Sequence, residues 1–167
     1  MIKIVSKKTH DLKKSEIMDI IKLKETYWKY GIKSQKEWFK KYVSAQDIHN
    51  MVSFNNEFIG YTLLRPRKII SKKYKRYLYF DTLILKKKFR DKKYSSNLMD
   101  FNNKIIKKNK KISFLITLKK LEKYYTKHGW KTLSKKSFGI CDHKSDNIGM
   151  IYNNFKKLNN FKFYLYE

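Results

Sequence analysis

YLYFDTLILKKKFRDKKYSSNLMDFNNKIIKK, residues 77–108, is the stretch from which the fold is most directly predicted. Its first part, 77–85, is rich in aromatic and β-branched residues and is too short for a typical helix, which indicates a buried strand. A basic polar loop follows at 86–96, and 97–108 then repeats apolar residues at helical spacing. This combination suits phosphate binding, because the free N–H groups and partial positive charge of a helix N-terminus attract phosphate oxygens.

The loop itself carries a recognisable motif. FRDKKYS (89–95) resembles the pyrophosphate loop of the GCN5-related N-acetyltransferases, which usually reads Arg/Gln-x-x-Gly-x-Gly/Ala after the fourth strand. Lys93 stands at the position of the first glycine and Ser95 at that of the second. Serine is small enough for its position, whereas lysine lacks the conformational freedom that lets a glycine backbone approach a phosphate closely.

A second motif follows in the expected order. ISFLITL (112–118) predicts another buried strand, and residues 119–130 predict a short helix that a glycine stops. Tyr125-x-x-x-Gly129-Trp130 resembles the Tyr-x-x-x-Gly-Phe element that closes the acetyl-CoA site in the same family. One helix and one strand separate the two motifs, as in the family, so together they are much stronger than either alone.

The flanking segments complete a predicted layout. The polar pair Asn55-Asn56 predicts the turn of a hairpin over 51–64. Ser15 is a plausible N-cap, and Ser34 with Glu37 forms a capping-box pattern. The predicted elements are a first strand at 2–5, helices over 13–30 and from Ser34 to about Tyr42, and last strands at 132–137, 148–154 and 161–166, with a loop at 139–147.

Length and composition restrict the class of protein to which this chain can belong. The 167 residues are enough for one domain, 1–167, with a sizeable core. The resemblance implies an α/β (α+β) acyl-CoA N-acyltransferase-like domain, in which helices flank a central mixed sheet in the order βααβββαβαββ. The single cysteine, Cys141, excludes a disulfide framework and favours a cytoplasmic location. No apolar run is long enough for a membrane span.

The charge balance has two explanations. Lysine and arginine total 41 against 14 aspartates and glutamates, which gives a formal net charge of +27. Such an excess usually indicates a polyanionic partner such as nucleic acid. However, lysine greatly outnumbers arginine and is spread over the whole chain, which favours compositional drift in an A+T-rich genome. We therefore expect the field to attract an anionic cofactor, and nucleic acid remains a possible but less favoured partner.

The resemblance implies a set of cofactor-binding residues. Acetyl-CoA would be the co-substrate, with no metal, because the four histidines lack ligand spacing. Main-chain N–H groups at Leu83 and Leu85 would hold the pantetheine and polarise the thioester carbonyl. The residues that the motif assigns to the pyrophosphate are Arg90, Asp91, Lys92, Lys93, Tyr94, Ser95 and Ser96.

Two residues are candidates for catalysis. Tyr125 matches the family tyrosine whose hydroxyl lies near the sulfur and acts as a general acid, although packing beside Tyr124 is the alternative. Asp81 lies within an otherwise apolar strand, so it is either a base acting through water or a carboxylate bonded to a neighbour. Glu57 and His49 are weaker candidates for the base, each expected to be structural or exposed.

The acceptor is predicted only as a class. In the family layout the first two helices form a wall of the acceptor cleft, so Tyr27, Trp28 and Trp38 are candidates for substrate contact, with core packing as the alternative. We expect direct attack by a small-molecule primary amine, with an amino sugar as a guess, in a monomer or homodimer. The alternatives are a macromolecular amine, such as aminoacyl-tRNA or a protein, and a non-catalytic binding module.

Overall fold

The computed structural model describes residues 1–68, 76–90, 93–140, 147–153 and, for the backbone, 163–165. Helices and strands follow the predicted order from the first strand through the fourth helix. The helices are α1 (Lys14–Glu25), α2 (Ile32–Tyr42), α3 (Tyr94–Lys108) and α4 (Glu122–Lys127). The strands are β1 (Ile2–Lys8), β2 (Ile48–Phe54), β3 (Glu57–Lys68), β4 (Arg76–Leu85), β5 (Ser113–Leu118), β6 (Lys131–Thr132), β7 (Phe138–Ile140), β8 (Asn147–Tyr152) and β9 (Phe163–Leu165).

The strands form a mixed sheet. Seven of those described are hydrogen-bonded in the order β1-β2-β3-β4-β5-β8-β6, and β7 and β9 form a second, two-stranded sheet. β4 and β5 are parallel, whereas β1–β2, β2–β3, β5–β8 and β6–β8 are antiparallel. The predicted mixed sheet with flanking helices is therefore confirmed. The predicted order was wrong only at its end, where four described strands follow α4 instead of two.

The chain divides into two compact units. The first comprises Met1–Arg65 with Thr82–Asn102, and the second comprises Pro66–Asp81 with Asn103–Glu167. β4 and α3 each contribute residues to both units. The expectation of one domain over 1–167 stays a prediction, and each unit is described below by itself.

The hairpin of the first unit forms where the sequence predicts it. Asn55 and Asn56 adopt φ angles of 47° and 64°, which place both turn residues in the left-handed region. Phe54 pairs with Glu57 across this turn, and the β2–β3 ladder continues from there with one register shift after Val52. Asparagine tolerates this conformation, which is why the two-residue turn matches the twist of the strands.

Apolar side chains of the first unit pack in two clusters on opposite faces of its strands. In β4, Ile84 belongs to one cluster and Leu85 to the other, because successive strand residues point to opposite faces. The first cluster packs α1 and α2 against the sheet through Ile20, Ile21, Leu23, Phe39, Met51, Tyr61, Leu63 and Ile84. The second consists of Val52, Ile59, Leu85, Phe89 and Leu98.

The two helices of this unit differ from prediction at their ends. α1 ends at Glu25, five residues short of the predicted end, and Lys13 rather than Ser15 is its N-cap. α2 begins at Ile32 and not at Ser34, because Gly31 precedes it with a φ of 86° and lets the chain turn directly into the helix.

The second unit is built on β5 and β8, which pair from Ser113–Tyr152 to Leu118–Asn147. Tyr77, Ile112, Phe114 and Ile151 form its apolar cluster. The predicted strand at 132–137 was wrong except at Thr132, because 135–137 forms a short 3₁₀ helix. Two lysines and two serines make most of that segment polar, which disfavours a buried strand. β7 covers 138–140 and β8 begins at Asn147, so the predicted loop at 139–147 was wrong at both ends. Its middle, 141–146, lies outside the described residues.

None of the helices in the described ranges is both long enough and apolar enough to cross a bilayer.

Candidate active site

The end of β4 turns sharply into the basic loop. The backbone N–H of Lys86, the residue after β4, donates to the carbonyl oxygen of Ile59 on β3 at 2.8 Å. This bond holds the end of β4 against β3. A single 3₁₀ turn, Lys87–Phe89, follows, and the N–H of Phe89 donates to the carbonyl of Lys86 at 2.9 Å. The loop therefore leaves the strand in a defined direction.

Phe89 anchors this loop in the core of the first unit. Its ring is buried, with centroids 6.2 Å from Phe54 and 5.4 Å from Tyr94. Phe54 and Tyr94 are themselves 5.4 Å apart, so the three rings form one aromatic cluster. This cluster was not predicted from the sequence, although a signal was present: Phe89 and Tyr94 are the only aromatic residues in the basic loop at 86–96.

α3 presents its first turn directly after the loop. The N–H of Asn97 donates to the carbonyl of Lys93 at 2.9 Å, so intrahelical bonding starts there. The amides of Tyr94, Ser95 and Ser96 precede that bond and have no acceptor within the helix. All three of these residues are half-buried. The first turn of α3 thus has the geometry of an anion site.

Lys93, the departure from the family motif, directly precedes α3, and its carbonyl oxygen accepts the Asn97 N–H. Its side chain is exposed. Asp91 and Lys92, which the motif also assigns to the pyrophosphate, lie outside the described residues.

Arg90 is oriented by two contacts. Its Nε donates to the carbonyl oxygen of Leu85 at 3.0 Å, and its guanidinium carbon lies 5.6 Å from the ring centroid of Tyr27. These contacts hold a positive charge beside the loop. They also bring Tyr27, a candidate for acceptor contact, next to the segment that the motif assigns to the pyrophosphate.

The other two acceptor candidates pack against the core. Trp28 and Trp38 are partly buried against the cluster beneath α1 and α2. The ammonium of the buried Lys24 lies 3.5 Å from the ring centroid of Trp38 and 5.7 Å from that of Trp28. Arg65 lies 5.5 Å from the Trp38 centroid. Of the three candidates, only Tyr27 is largely exposed, which supports packing for the two tryptophans.

Leu83 and Leu85 point their side chains into the cluster that contains Phe89 and Leu98. Gly60 on β3 lies against the same strand end, because a Cβ added there would sit 2.9 Å from the Leu85 Cγ atom. The side chains of both leucines therefore have a packing role. The role of their main chain toward a thioester stays a prediction.

The parallel ladder between β4 and β5 is short. Its register comprises Leu78–Ser113 and Tyr79–Phe114, and both strands continue past it, β5 as far as Leu118. The Ser113 hydroxyl donates to the carbonyl of Leu78 at 2.7 Å and closes the paired end. The main chain of Leu83 and Leu85 therefore lies beyond the paired part of β4 and β5.

Tyr125 lies on α4 in the second unit, buried among aromatic rings. Its centroid is 5.2 Å from Tyr124, 6.3 Å from Phe80 and 6.3 Å from Trp130. Burial raises the pKa of the Tyr125 hydroxyl well above its usual value, Tyr124 raises it further, and a hydrogen bond with Thr117 opposes both. The phenol is therefore held in its protonated form, as a proton donor must be.

The Gly129-Trp130 part of the motif fixes the end of α4. Gly129 adopts a φ of 82°, and the N–H of Trp130 donates back to the carbonyl of Tyr125 at 3.1 Å. The buried Trp130 indole donates to the Asn103 side-chain oxygen at 3.1 Å, and the Asn103 amide donates to the carbonyl of His128 at 3.0 Å. The spacing of the motif thus follows from a helix stop and a buried anchor, which together orient Tyr125.

The candidates for a general base have different surroundings. Asp81 is partly buried on β4 in the second unit, and its role as a base stays a prediction. Glu57 bonds to Lys86 and Lys88 at 2.9 Å each, and these bonds lower the pKa of its carboxyl, which makes it a weaker base.

His49 is a core residue. Its Nδ1 lies 2.7 Å from the Tyr61 hydroxyl and its Nε2 lies 2.8 Å from the Thr9 hydroxyl. The imidazole also stacks on Phe39 and Tyr61. Burial lowers the pKa of His49 to about 4. The expectation that this histidine is structural agrees with these contacts.

This pKa shift predicts a pH dependence of stability. Between pH 6.5 and pH 4 the unfolded chain protonates His49 while the folded chain keeps it neutral, so stability falls as pH falls through this window. From pH 7 to pH 5 we expect a loss on the order of 2 kcal/mol from this residue. Urea unfolding at the two pH values checks it. His49→Gln should remove most of the difference, whereas His10→Gln, at an exposed position, should keep it; equal behaviour of the two variants would contradict the assignment.

Comparison with known proteins reveals a shared fold. No protein-family model matches the chain. No curated protein matches it either. An acyl-CoA N-acyltransferase from Pseudomonas aeruginosa superposes with a TM-score of 0.68 at 14% identity, over 90% of this chain and 99% of that one. Arabidopsis thaliana Naa50, solved with a bisubstrate analogue CoA-Ac-MVNAL, gives 0.64 at 16% identity over 89% and 97%. An aminoglycoside 6'-N-acetyltransferase complexed with coenzyme A gives 0.64 at 12% identity over 89% and 96%.

Proposed function

We propose that this chain, which has the fold of the GCN5-related N-acetyltransferases, transfers an acetyl group from acetyl-CoA to a primary amine. The observation that carries the proposal is the first turn of α3, where the amides of Tyr94, Ser95 and Ser96 follow a basic loop that Phe89 anchors. Two proteins of this fold were solved with coenzyme A, whose diphosphate matches such a site in charge.

The residues of the β4–α3 segment fit a diphosphate. The two serines of the first turn are small, and Arg90 adds positive charge beside the loop. Acetyl-CoA supplies the acetyl thioester. In this proposal the main chain at Leu83 and Leu85 holds the pantetheine and donates hydrogen bonds to the carbonyl oxygen, where negative charge develops.

The remaining steps are proton transfers. The amine must be neutral to attack, so its proton passes to a base or to solvent, with Asp81 as the proposed base acting through water. As the carbon–sulfur bond breaks, the departing thiolate requires a proton. Tyr125 is proposed to supply it, which agrees with the raised pKa of its hydroxyl. No covalent intermediate with the protein is needed.

The binding step is tested by titrating coenzyme A into Ser95→Asp. A carboxylate in the first turn repels the diphosphate while favouring the helix dipole, so we expect binding to weaken about tenfold or more with α3 intact. Ser134→Asp places the same charge at an exposed position outside the β4–α3 segment and should bind as the parent does. Calorimetry gives both affinities.

Each result has a distinct meaning. Equal binding of coenzyme A by Ser95→Asp and the parent would show that the first turn of α3 is not part of the binding site. No heat and no protection from unfolding with the parent protein at about millimolar ligand would favour a non-catalytic binding module.

The acceptor is addressed by a thioester-consumption screen over amino sugars, polyamines, amino acids and aminoacyl-tRNA. A small-molecule amine, including an amino sugar, is the class that the sequence analysis favours. A macromolecular amine is supported by the net charge of +27, since such a field repels small cations and attracts an amine that a polyanion carries. Consumption with only one class of acceptor decides between them.

A further inference from the structure

The exposed surface of residues 22–42, from the last turn of α1 through α2 in the first unit, is strongly basic, whereas Asp19 is exposed earlier on α1. Within residues 22–42, Glu37 is the only exposed carboxylate, since Glu25 is partly buried and accepts the Gly31 N–H at 3.0 Å. The exposed lysines of this segment are Lys22, Lys29, Lys33, Lys36, Lys40 and Lys41. The imbalance of charge is therefore local as well as global.

Three of these lysines share one face of α2. Lys33, Lys36 and Lys40 are spaced by three and four residues, so their side chains project from the same side of the helix. The exposed Glu37 lies on this side too, and three positive charges outnumber its single negative one. They extend over about 10 Å along the axis. This is close to the Debye length at physiological ionic strength, so the three charges reinforce one another toward an extended anion.

The same segment, residues 22–42, also exposes aromatic rings. Tyr27, Tyr30 and Tyr42 are 55%, 71% and 38% exposed. The ammonium of Lys41 lies 4.9 Å from the Tyr42 ring centroid, which pairs a cation with a ring at the end of α2. Exposed tyrosines beside lysines provide both of the contacts that a single-stranded nucleic acid needs, because phosphates bind the cations and unstacked bases stack on the rings.

The C-terminal part of α3 shows that charge alone does not define such a surface. Residues 104–111 contain five exposed lysines but no aromatic residue. That segment attracts anions but contributes no ring of its own, and the ring centroid of the half-buried Tyr152 lies 5.9 Å from the Lys107 ammonium. It is therefore an internal control for the surface of α1 and α2.

We propose that single-stranded RNA docks on the surface formed by the exposed lysines and tyrosines of residues 22–42, here called the α1–α2 basic surface. RNA is the nucleic acid that presents unstacked bases in its loops and ends, which the exposed tyrosines fit. Docking does not require acetyl transfer, so it goes beyond the proposed function and is tested independently of it.

Fluorescence anisotropy with a labelled single-stranded RNA of about 12 nucleotides tests the proposal across a salt series. The triple variant Lys33→Glu, Lys36→Glu, Lys40→Glu should bind at least about tenfold more weakly, and the slope of log K against log salt should become shallower by about 2. The matched control, Lys104→Glu, Lys108→Glu, Lys111→Glu, has the same net charge and should lose less than about threefold.

The tyrosines are tested separately. Tyr30→Ala with Tyr42→Ala should weaken binding about tenfold or more without changing the salt slope, because base stacking is not electrostatic. A Lys33→Gln, Lys36→Gln, Lys40→Gln variant keeps the test valid if the charge-reversed chain is less stable, and circular dichroism confirms folding of each variant.

Three results would overturn the proposal. These are binding by the parent protein no tighter than about 10⁻⁴ M at physiological salt, an equal loss in the α2 and α3 triple variants, or an unchanged affinity of the double tyrosine variant. Coenzyme A titration of the same samples is independent of all three, so failure of RNA docking and failure of the proposed acetyl transfer are distinguished.

Discussion

With an identified amine acceptor, Tyr125→Phe is expected to lower kcat by about 10²-fold while leaving coenzyme A affinity within about twofold. Phenylalanine keeps the ring contacts with Phe80, Tyr124 and Trp130 and removes only the hydroxyl. Because burial raises the pKa of this hydroxyl, it stays protonated over the whole neutral range. The loss in kcat should therefore show no pH dependence between pH 6 and about pH 9.

Tyr124→Phe is the matched control for this experiment. It makes the same chemical change one position earlier and should leave kcat within about twofold, since the motif assigns no role to Tyr124. Thermal unfolding of both variants separates loss of chemistry from loss of structure. If Tyr125→Phe keeps turnover within twofold of the parent, its hydroxyl is a packing group bonded to Thr117 and not the acid.

Asp47→Ala is expected to destabilise the protein by about 3–5 kcal/mol, the largest stability effect of any single change considered. Asp47 is fully buried, and its Oδ2 lies 3.3 Å from the Nε of the buried Arg65. The same carboxylate accepts the Ser44 hydroxyl at 2.7 Å and the Ser44 N–H at 3.2 Å. Alanine leaves a buried guanidinium without its carboxylate, which costs more than the pair itself contributes.

A double-mutant cycle distinguishes this explanation from simple loss of packing. Arg65→Met has similar volume and no charge, so Asp47→Ala combined with Arg65→Met should be less destabilised than Asp47→Ala alone, by about 1–3 kcal/mol. Urea unfolding at pH 7 measures all four proteins. Additive effects would show that the ion pair is not what holds the loop before β2 against the end of β3.

Local sequence signals predicted the parts of the site that depend on short-range chemistry. The strand, loop and helix at 77–108 form as expected, because burial of apolar residues and the helix period act within one segment. Gly129 stops α4 because its backbone adopts positive φ, which is a property of the residue itself. The Asn55-Asn56 turn formed for the same reason.

Local sequence signals did not predict which polar residues are buried or which partners they contact. His49 and Asp47 look like ordinary polar residues in the sequence, yet both are buried, one between aromatic rings and one against Arg65. Their partners lie 12 and 18 residues away along the chain. No periodicity encodes such contacts, because they arise from the packing of β2 on β3. The end of α1 at Glu25 was missed because the helical pattern of apolar residues continues past it.

The sequence by itself determined the order of elements from β1 through α4, the helix start that follows the basic loop, and the spacing of Tyr125 from Gly129 and Trp130. Each of these follows from backbone preferences and apolar periodicity within a few residues. Only the tertiary structure decided that Phe89 anchors the loop and that Arg90 lies beside Tyr27. Those contacts join residues from separate strands and helices. They form only when the core packs and excludes water.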